Sequence, residues 1–271
     1  MMMQSNTDHG QVKEGRSVGH FPSIPWIPYY CNQSTCSWNL VRCESSGVRS
    51  LVTAGRLDFT PMATVDWFEL KEDWERIGGW GIAFKKVAGS VLLFSHRPIS
   101  DLDAAPIAIC DETTTSVRIL QALLQKKYGL RIGRWRRNVD VNDGETPRLL
   151  IQNQAVEEVA RGRFPYVADL GSEWWAWQGT PIVTAVWACR ADLPGDERAA
   201  FAAQLECASR RYHEAPERAV KAHRETFGWS AEVESVVALH RNFDYLLGRD
   251  CEVGIERMRQ ILPQEVAGFA S

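Results

Sequence analysis

The chain has 271 residues, with 31 Lys+Arg against 34 Asp+Glu and a formal charge of −3. That length allows one large domain or two modest lobes, with enough core that no metal or disulfide staple is needed. The balanced charge excludes a protein that grips nucleic acid by bulk electrostatics, and no apolar run approaches the ~18–20 residues of a membrane span. The chain carries 11 tryptophans, against about three or four expected at ordinary usage.

Residues 1–17 are polar and mixed in charge, with no apolar signal segment. They are expected to form a disordered tail, and the expected compartment is the cytoplasm. Seven cysteines cannot all pair. Cys31, Cys36 and Cys43 cluster, but their spacing fits no standard zinc pattern, so idle thiols are expected. Ser45 to Phe68 reads as helix, strand (Leu57 to Thr60), then helix. Ser90–Ser95 and Ala105–Cys110 read as buried strands, being short apolar runs with polar or Pro boundaries. Thr115 to Lys127 carries apolar residues at Val117, Leu120, Leu123 and Leu124, an amphipathic helical spacing opened by Thr113-Thr114-Thr115-Ser116 and closed by Gly129. Leu149–Ile151 reads as a strand and Val156–Arg161 as a short helix. Val167–Leu170 and Ile182–Cys189 are further strands around a helical stretch at Glu173–Trp177. From Gly195 onward helices alone are expected, at Asp196–Tyr212, Ala215–Thr226, Ala231–Tyr245 and Cys251–Leu262.

Strand–helix alternation implies an α/β architecture with parallel sheets and right-handed crossovers. Ligands in such folds bind beyond the carboxyl ends of strands. That directs attention to the Thr60–Thr64 loop, the Asp111–Ser116 loop, Gln152–Gln154 and the approach from Lys85 to Ser90. The Thr/Ser run is an anion site in principle, because first-turn N–H groups and the helix dipole favour a carboxylate; plain helix capping is the simpler account. Lys85 and Lys86 can meet a carboxylate, although exposed lysines are usually solvated. Trp174-Trp175-Ala176-Trp177, with Trp187, forms either aromatic core or a wall for a planar ligand. No nucleophile elbow, P-loop, dinucleotide fingerprint or metal cluster is visible.

Three stretches together resemble the chorismate dehydratase family of the futalosine route to menaquinone. They are SVLLFS at Ser90–Ser95, TTTSVRILQALLQKKYG from Thr113, and DLGSEWWAWQGTPIVTAVWACR from Asp169 to Arg190. Gly55-Arg56-Leu57-Asp58-Phe59-Thr60-Pro61 resembles the family's G-x-L-D-x-x-P segment. The resemblance implies a two-lobed type-2 periplasmic-binding-protein fold with a ligand cleft between the lobes. Its expected divisions are residues 18–94 for the first part of lobe 1, 95–187 for lobe 2, and 188–271 for a helical completion of lobe 1. Hinges are expected near Phe94–Arg97 and Trp187–Arg190. The implied activity is elimination of water from chorismate without metal or organic cofactor. A substrate carboxylate takes the proton while the protein orients and polarises.

Carried over residue by residue, the resemblance makes Ser90 the catalytic serine and places Thr115 and Ser116 on a substrate carboxylate. Thr60, Lys86, Gln152, Asn153 and Thr184 are the other expected contacts with a small carboxylated substrate. The chain also departs from the family at expected cleft positions. Pro25 replaces an Asn, Lys86-Val87 a Gly-Pro, Gln152-Asn153 a Gly-Asp, and Thr184 a Phe. A proline offers neither donor nor amide acceptor in place of the Asn side chain. This pattern implies a relative with altered substrate or chemistry. The alternatives are a different specialised-metabolism enzyme (cyclase, isomerase or decarboxylase) or a non-catalytic binder of small carboxylates. The oligomeric state is not legible.

Overall fold

A computed structural model describes residues 15–31, 38–110, 113–137 and 143–266. Its first part runs β1 (Ser17–His20), a 3-10 turn (Ile24–Trp26), α1 (Ile27–Tyr30), β2 (Asn39–Arg42), α2 (Val48–Thr53), β3 (Phe59–Ala63), α3 (Thr64–Leu70) and β4 (Trp74–Phe84). The middle runs β5 (Val91–Ser95), β6 (Ile107–Ile109), α4 (Thr115–Ala122, continued by a π-turn over Leu123–Lys127), β7 (Trp135–Arg136), β8 (Arg148–Ile151), α5 (Gln152–Arg161), β9 (Tyr166–Asp169) and α6 (Leu170–Gln178). The remainder is β10 (Ile182–Arg190), α7 (Gly195–Glu214), α8 (Pro216–Phe227), α9 (Val233–His240), β11 (Phe243–Leu246) and α10 (Arg249–Ile261).

The strands form two sheets. One has the order β11-β4-β10-β3-β1-β2 and the other β7-β6-β8-β5-β9. The chain therefore passes from the first sheet to the second between Phe84 and Val91, and returns between Gln178 and Ile182. Both passages lie a few residues before the expected hinges: β5 belongs wholly to lobe 2, and β10 wholly to lobe 1. The sheets are also mixed rather than parallel. β10 runs antiparallel to β3 and β4, and β5 runs antiparallel to β8 and β9. Strands beside an inter-lobe passage enter their sheet from the opposite end, so they need no helical crossover.

Of the strands that escape a propensity reading, β4 and β11 show why. In β4 the run Ile77-Gly78-Gly79-Trp80-Gly81 is poor strand composition. Yet a Cβ on Gly81 would lie 2.6 Å from the Ala185 carbonyl oxygen of β10, so the close strand approach requires glycine there. β11 interrupts the expected helix Ala231–Tyr245: α9 stops at His240, and Phe243 pairs with Phe84 at the sheet edge. The C-terminal region is thus not helical throughout. The expected tail also shortens. Residues 1–14 lie outside the described residues, but Arg16 pairs with Glu197 at 2.7 Å and with Asp58 at 3.2 Å, and Ser17 opens β1. Asp58, the acidic residue of the G-R-L-D segment, also accepts from the Ser17 N–H and hydroxyl and lies 3.5 Å from Arg190. It ties the start of β1 to the end of β10.

Most tryptophans belong to the core. Trp174 and Trp187 are fully buried, and Trp187 packs against Trp26, Tyr29, Tyr30 and Phe201. A separate cluster of Ile24, Ile27, Tyr212, Val220, Trp229, Val236 and Val237 joins the 3-10 turn to the C-terminal helices. Histidines surround it. His240 Nδ1 lies 2.5 Å from the Tyr212 hydroxyl, and its Nε2 lies 2.9 Å from the Ile24 carbonyl. A carbonyl only accepts, so Nε2 carries the proton and Nδ1 accepts from tyrosine. Burial pushes His240 down to about 3. Burial, with a nearby positive charge from Arg42, pushes His20 down to about 4; burial likewise takes His223 to about 4. These rings stay neutral in the native state while the unfolded chain protonates near 6.5. The unfolded state then binds more protons, and stability falls as pH drops from 6.5 towards 4. Thermal unfolding followed across that window should show a steady loss of Tm, and a flat profile would contradict it.

Candidate functional site in the inter-lobe cleft

The cleft lies where the carboxyl ends of β1 and β2 face β5, β8 and the start of α4. Its inner cavity, of about 60 Å³, is bordered by Trp26, Ser90, Ser116, Gln152 and Thr184 among others, with Pro25, Thr114 and Thr115 in the same wall. An outer cavity of about 220 Å³ adjoins it, sharing Phe21, Ser45, Ile151 and Gln152 and adding Ser23, Arg42 and Asn153. Among the described residues, no ionisable side chain lines the inner cavity.

Ser90 is placed by the loop that carries the chain into lobe 2. The Asp169 carboxylate accepts from the N–H groups of Ala88 (3.0 Å) and Gly89 (2.6 Å), and caps α6 through the Ser172 N–H. A Cβ on Gly171 would stand 2.7 Å from the Ala88 nitrogen, so the loop seats only against glycine. The D-L-G motif is therefore a clamp on the approach to Ser90. That serine is 1% exposed, and its carbonyl accepts from the Gln152 N–H at 2.8 Å. Its hydroxyl borders the inner cavity and hydrogen-bonds to no described residue.

Gln152 has a left-handed backbone, with φ of +54°, where it begins α5. A side chain costs about 1–2 kcal/mol in that region relative to glycine, and such local strain is characteristic of functional sites. The next residue crosses the cleft: Asn153 Oδ1 accepts from the Ile24 N–H at 2.9 Å. Since Ile24 also accepts from His240, a polar chain runs from Tyr212 through His240 and Ile24 to Asn153. It fixes the turn that presents Pro25 and Trp26. A second strap is formed by the Thr115 hydroxyl, which donates to the Thr184 carbonyl at 3.1 Å, while Thr184 donates to Ile82 at 3.2 Å. The α4 N-terminus has no side-chain cap. Ser116 lies in its first turn, and Thr114 Oγ1 stands 3.4 Å from Ser45 Oγ. First-turn N–H groups lie beside these hydroxyls, and the helix dipole there favours negative charge.

The structure thus brings Ser90, Thr115, Ser116, Gln152 and Thr184 to one cavity and Asn153 to its neighbour. It does not bring Thr60 or Lys86. Thr60 is fully buried in β3, and its hydroxyl donates to the Pro61 carbonyl at 2.9 Å. Lys86 is exposed, with its ammonium 5.2 Å from the Trp175 ring centre. Lys85 pairs with Asp244 at 3.0 Å. The aromatic wall is Trp26, not the Trp174–Trp177 run. Sequence reasoning missed Ser23 and Arg42 as cleft residues. Their signal was position, just beyond the ends of β1 and β2, but those short strands had not been recognised. Among the described residues no His/Cys/Asp/Glu group is arranged to hold a metal; the Cys31 Sγ lies 3.2 Å from the Ala208 carbonyl, Cys43 is a free thiol, and Cys36 lies outside the described residues.

Two lobes, each built on a mixed sheet, with a polar cleft between them define a type-2 periplasmic-binding-protein fold. Solved structures share it. A protein from Archaeoglobus fulgidus matches with a TM-score of 0.74 and 14% identity, covering 90% of this chain and 95% of that one. A Candida albicans protein, described as having the generic periplasmic binding protein fold, matches at 0.65 and 11%, covering 94% and 92%. The periplasmic aliphatic sulphonate binding protein of Escherichia coli matches at 0.65 and 12%, covering 92% and 87%. Within this fold the chain belongs to the family described as menaquinone biosynthesis, whose profile matches residues 16–264.

The clamp and the strained residue have opposite expected effects. Asp169→Ala should lower unfolding stability by about 2–3 kcal/mol, since it removes hydrogen bonds to a charged acceptor. Gln152→Gly should raise stability by about 1 kcal/mol by relieving the left-handed strain. Denaturant unfolding measures both, and a destabilised Gln152→Gly variant would refute the strain argument.

Proposed function

We propose that the protein is a cytoplasmic carbon–oxygen lyase that eliminates water from chorismate, or from a closely similar carboxylated ring, without a cofactor. Membership of the menaquinone biosynthesis family supports the pathway. The observation that carries the chemistry is the inner cavity: hydroxyls, one amide and a helix N-terminus, with no acid or base among its described residues. Such a site suits a substrate that brings its own base. The α4 N-terminus, with Thr115 and Ser116, would hold one carboxylate. A substrate carboxylate takes the ring proton, the C–H electron pair enters the ring as a new double bond, and the C–O bond breaks. The leaving hydroxide departs as water after protonation. Ser90 would hydrogen-bond the departing oxygen, where charge develops. Gln152 and Thr184 would contact the ring.

The test is to incubate the purified chain with chorismate and follow aromatisation by absorbance and mass. The expected product is 3-[(1-carboxyvinyl)oxy]benzoate, and Ser90→Ala should lower kcat by about 100-fold or more, the usual effect of losing one stabilising donor. No product from chorismate, isochorismate or their amino analogues would overturn the proposal. Pro25, Gln152 and Thr184 stand in the cavity wall where the family motif has other residues, and they favour one second reading. This is a cyclase, isomerase or decarboxylase on the same scaffold, which the same assay would reveal by a product of different mass.

A further inference from the structure

Away from the cleft cavities, charged side chains from both lobes meet where α3 faces α4. Arg49 of α2 pairs with Glu69 of α3 and lies 3.8 Å from Asp66, in the first turn of the same helix. Those three residues belong to lobe 1. Arg118 belongs to α4 of lobe 2, and its guanidinium donates to the other Glu69 oxygen at 3.1 Å. One carboxylate therefore holds a guanidinium from each lobe. Lobe 1 by itself leaves the group unbalanced, because Asp66 and Glu69 share only Arg49. Burial pushes the Asp66 carboxyl up, Arg49 and Arg118 oppose that rise, and Glu69 adds to it. Asp66 thus feels Arg118 across the lobe boundary. When the lobes part, Glu69 keeps Arg49, whereas Arg118 leaves with lobe 2 and has no other carboxylate partner among the described residues.

We propose that Glu69 and Arg118 form an ionic latch on lobe closure: charge balance at the α3–α4 contact is complete only in the closed form, so ionic strength sets the fraction of closed molecules. The neutral bonds from Asn153 to Ile24 and from Thr115 to Thr184 lie at the ligand cavities, where a ligand can replace them. Glu69 and Arg118 border neither of those cavities; they line a separate one of about 570 Å³ with Phe68 and Met258. Their contact therefore biases closure whatever the cleft holds. Side-chain exposure is 39% for Glu69 and 17% for Arg118, so dissolved salt reaches the pair and screens it. A half-exposed ion pair is weak beside the stability of a fold. It is enough to shift a two-state hinge equilibrium whose states lie close in free energy.

The latch stands apart from the lyase reading, and its test needs no ligand. Single-molecule energy transfer on the full chain would use dyes on non-natural residues placed at Val159 in α5 and Lys221 in α8. Both positions are exposed, one on each lobe. Between about 0.01 M and 1 M salt the Debye length falls from about 30 Å to about 3 Å. Over that range the ratio of closed to open molecules should fall about fivefold, the upper range for an exposed ion pair. At low salt, Arg118→Gln and Glu69→Gln should each lower the ratio to a similar degree and remove most of its salt response. Arg131→Gln breaks an ion pair with Asp103 inside lobe 2 and should leave the ratio unchanged. Circular dichroism would establish that each variant is folded, and either latch variant suffices if the other is not. The latch is overturned if neither variant changes the ratio, if Arg131→Gln lowers it as much, or if the wild type is found only open at low salt.

Discussion

The cleft depends first on one carboxylate. Asp169 belongs to lobe 2, at the junction of β9 and α6, and it captures the backbone of Ala88 and Gly89 as the chain arrives from lobe 1. Loops are ordinarily more mobile than the elements they connect. Here two consecutive N–H groups end on one carboxylate that also caps a helix, and Gly171 removes the Cβ that would keep them apart. The consequence reaches Ser90, whose carbonyl then meets the Gln152 N–H. Ser90 is fixed on one side by the clamp and on the other by the strand pair Val91–Ile151. The D-L-G motif thus acts through the backbone, at a distance from any ligand.

Scaffold and site were legible to different degrees. Short apolar runs identified β5, β6, β8 and β10 because their residues are buried and their boundaries are polar. β4 was invisible because its glycines lower strand propensity, and the reason for them, close approach to β10, exists only in the folded sheet. β11 was absorbed into a helical pattern because Val236, Val237 and His240 carry helical spacing right up to its start. The site residues became legible through motif resemblance, which located Ser90, Thr115, Ser116, Gln152 and Thr184. Resemblance misplaced Thr60 and Lys86. Neighbourhood in sequence says nothing about which face of a strand meets the cleft, and Lys86, two residues before the clamped Ala88, is exposed beside the Trp175 ring. Arg42 and Ser23 belong to no motif, so only the fold could show them.

The departures from the family motif also acquire physical content. Gln152 stands where the motif has glycine, and its φ of +54° is a backbone that glycine adopts without strain. The Gln152 side chain is carried on that backbone at the boundary of both cavities. Pro25 removes a polar group from the opposing wall. The wall on the β1 side presents Pro25, and that on the β8 side the Gln152 amide.

The dimensions of the cleft constrain how a ligand arrives. A ligand that spans both cavities reaches them most directly if the lobes part, as in hinge closure of two-lobed proteins generally. Among the bonds that span the gap are Asn153 to Ile24 and Thr115 to Thr184, each worth about 1 kcal/mol net. Breaking them exposes the Asn153 carbonyl oxygen, the Ile24 N–H, the Thr115 hydroxyl and the Thr184 carbonyl. Three of the four residues border the cavities a ligand would occupy. Ile24 is different, because its carbonyl remains held by His240 whether or not its N–H is released. The turn carrying Pro25 and Trp26 therefore stays attached to lobe 1 when the cleft opens. Ser90, Ser116 and Gln152 lie together on the other lobe, just before β5, in α4 and at the start of α5, so a rigid hinge motion would carry them as one unit.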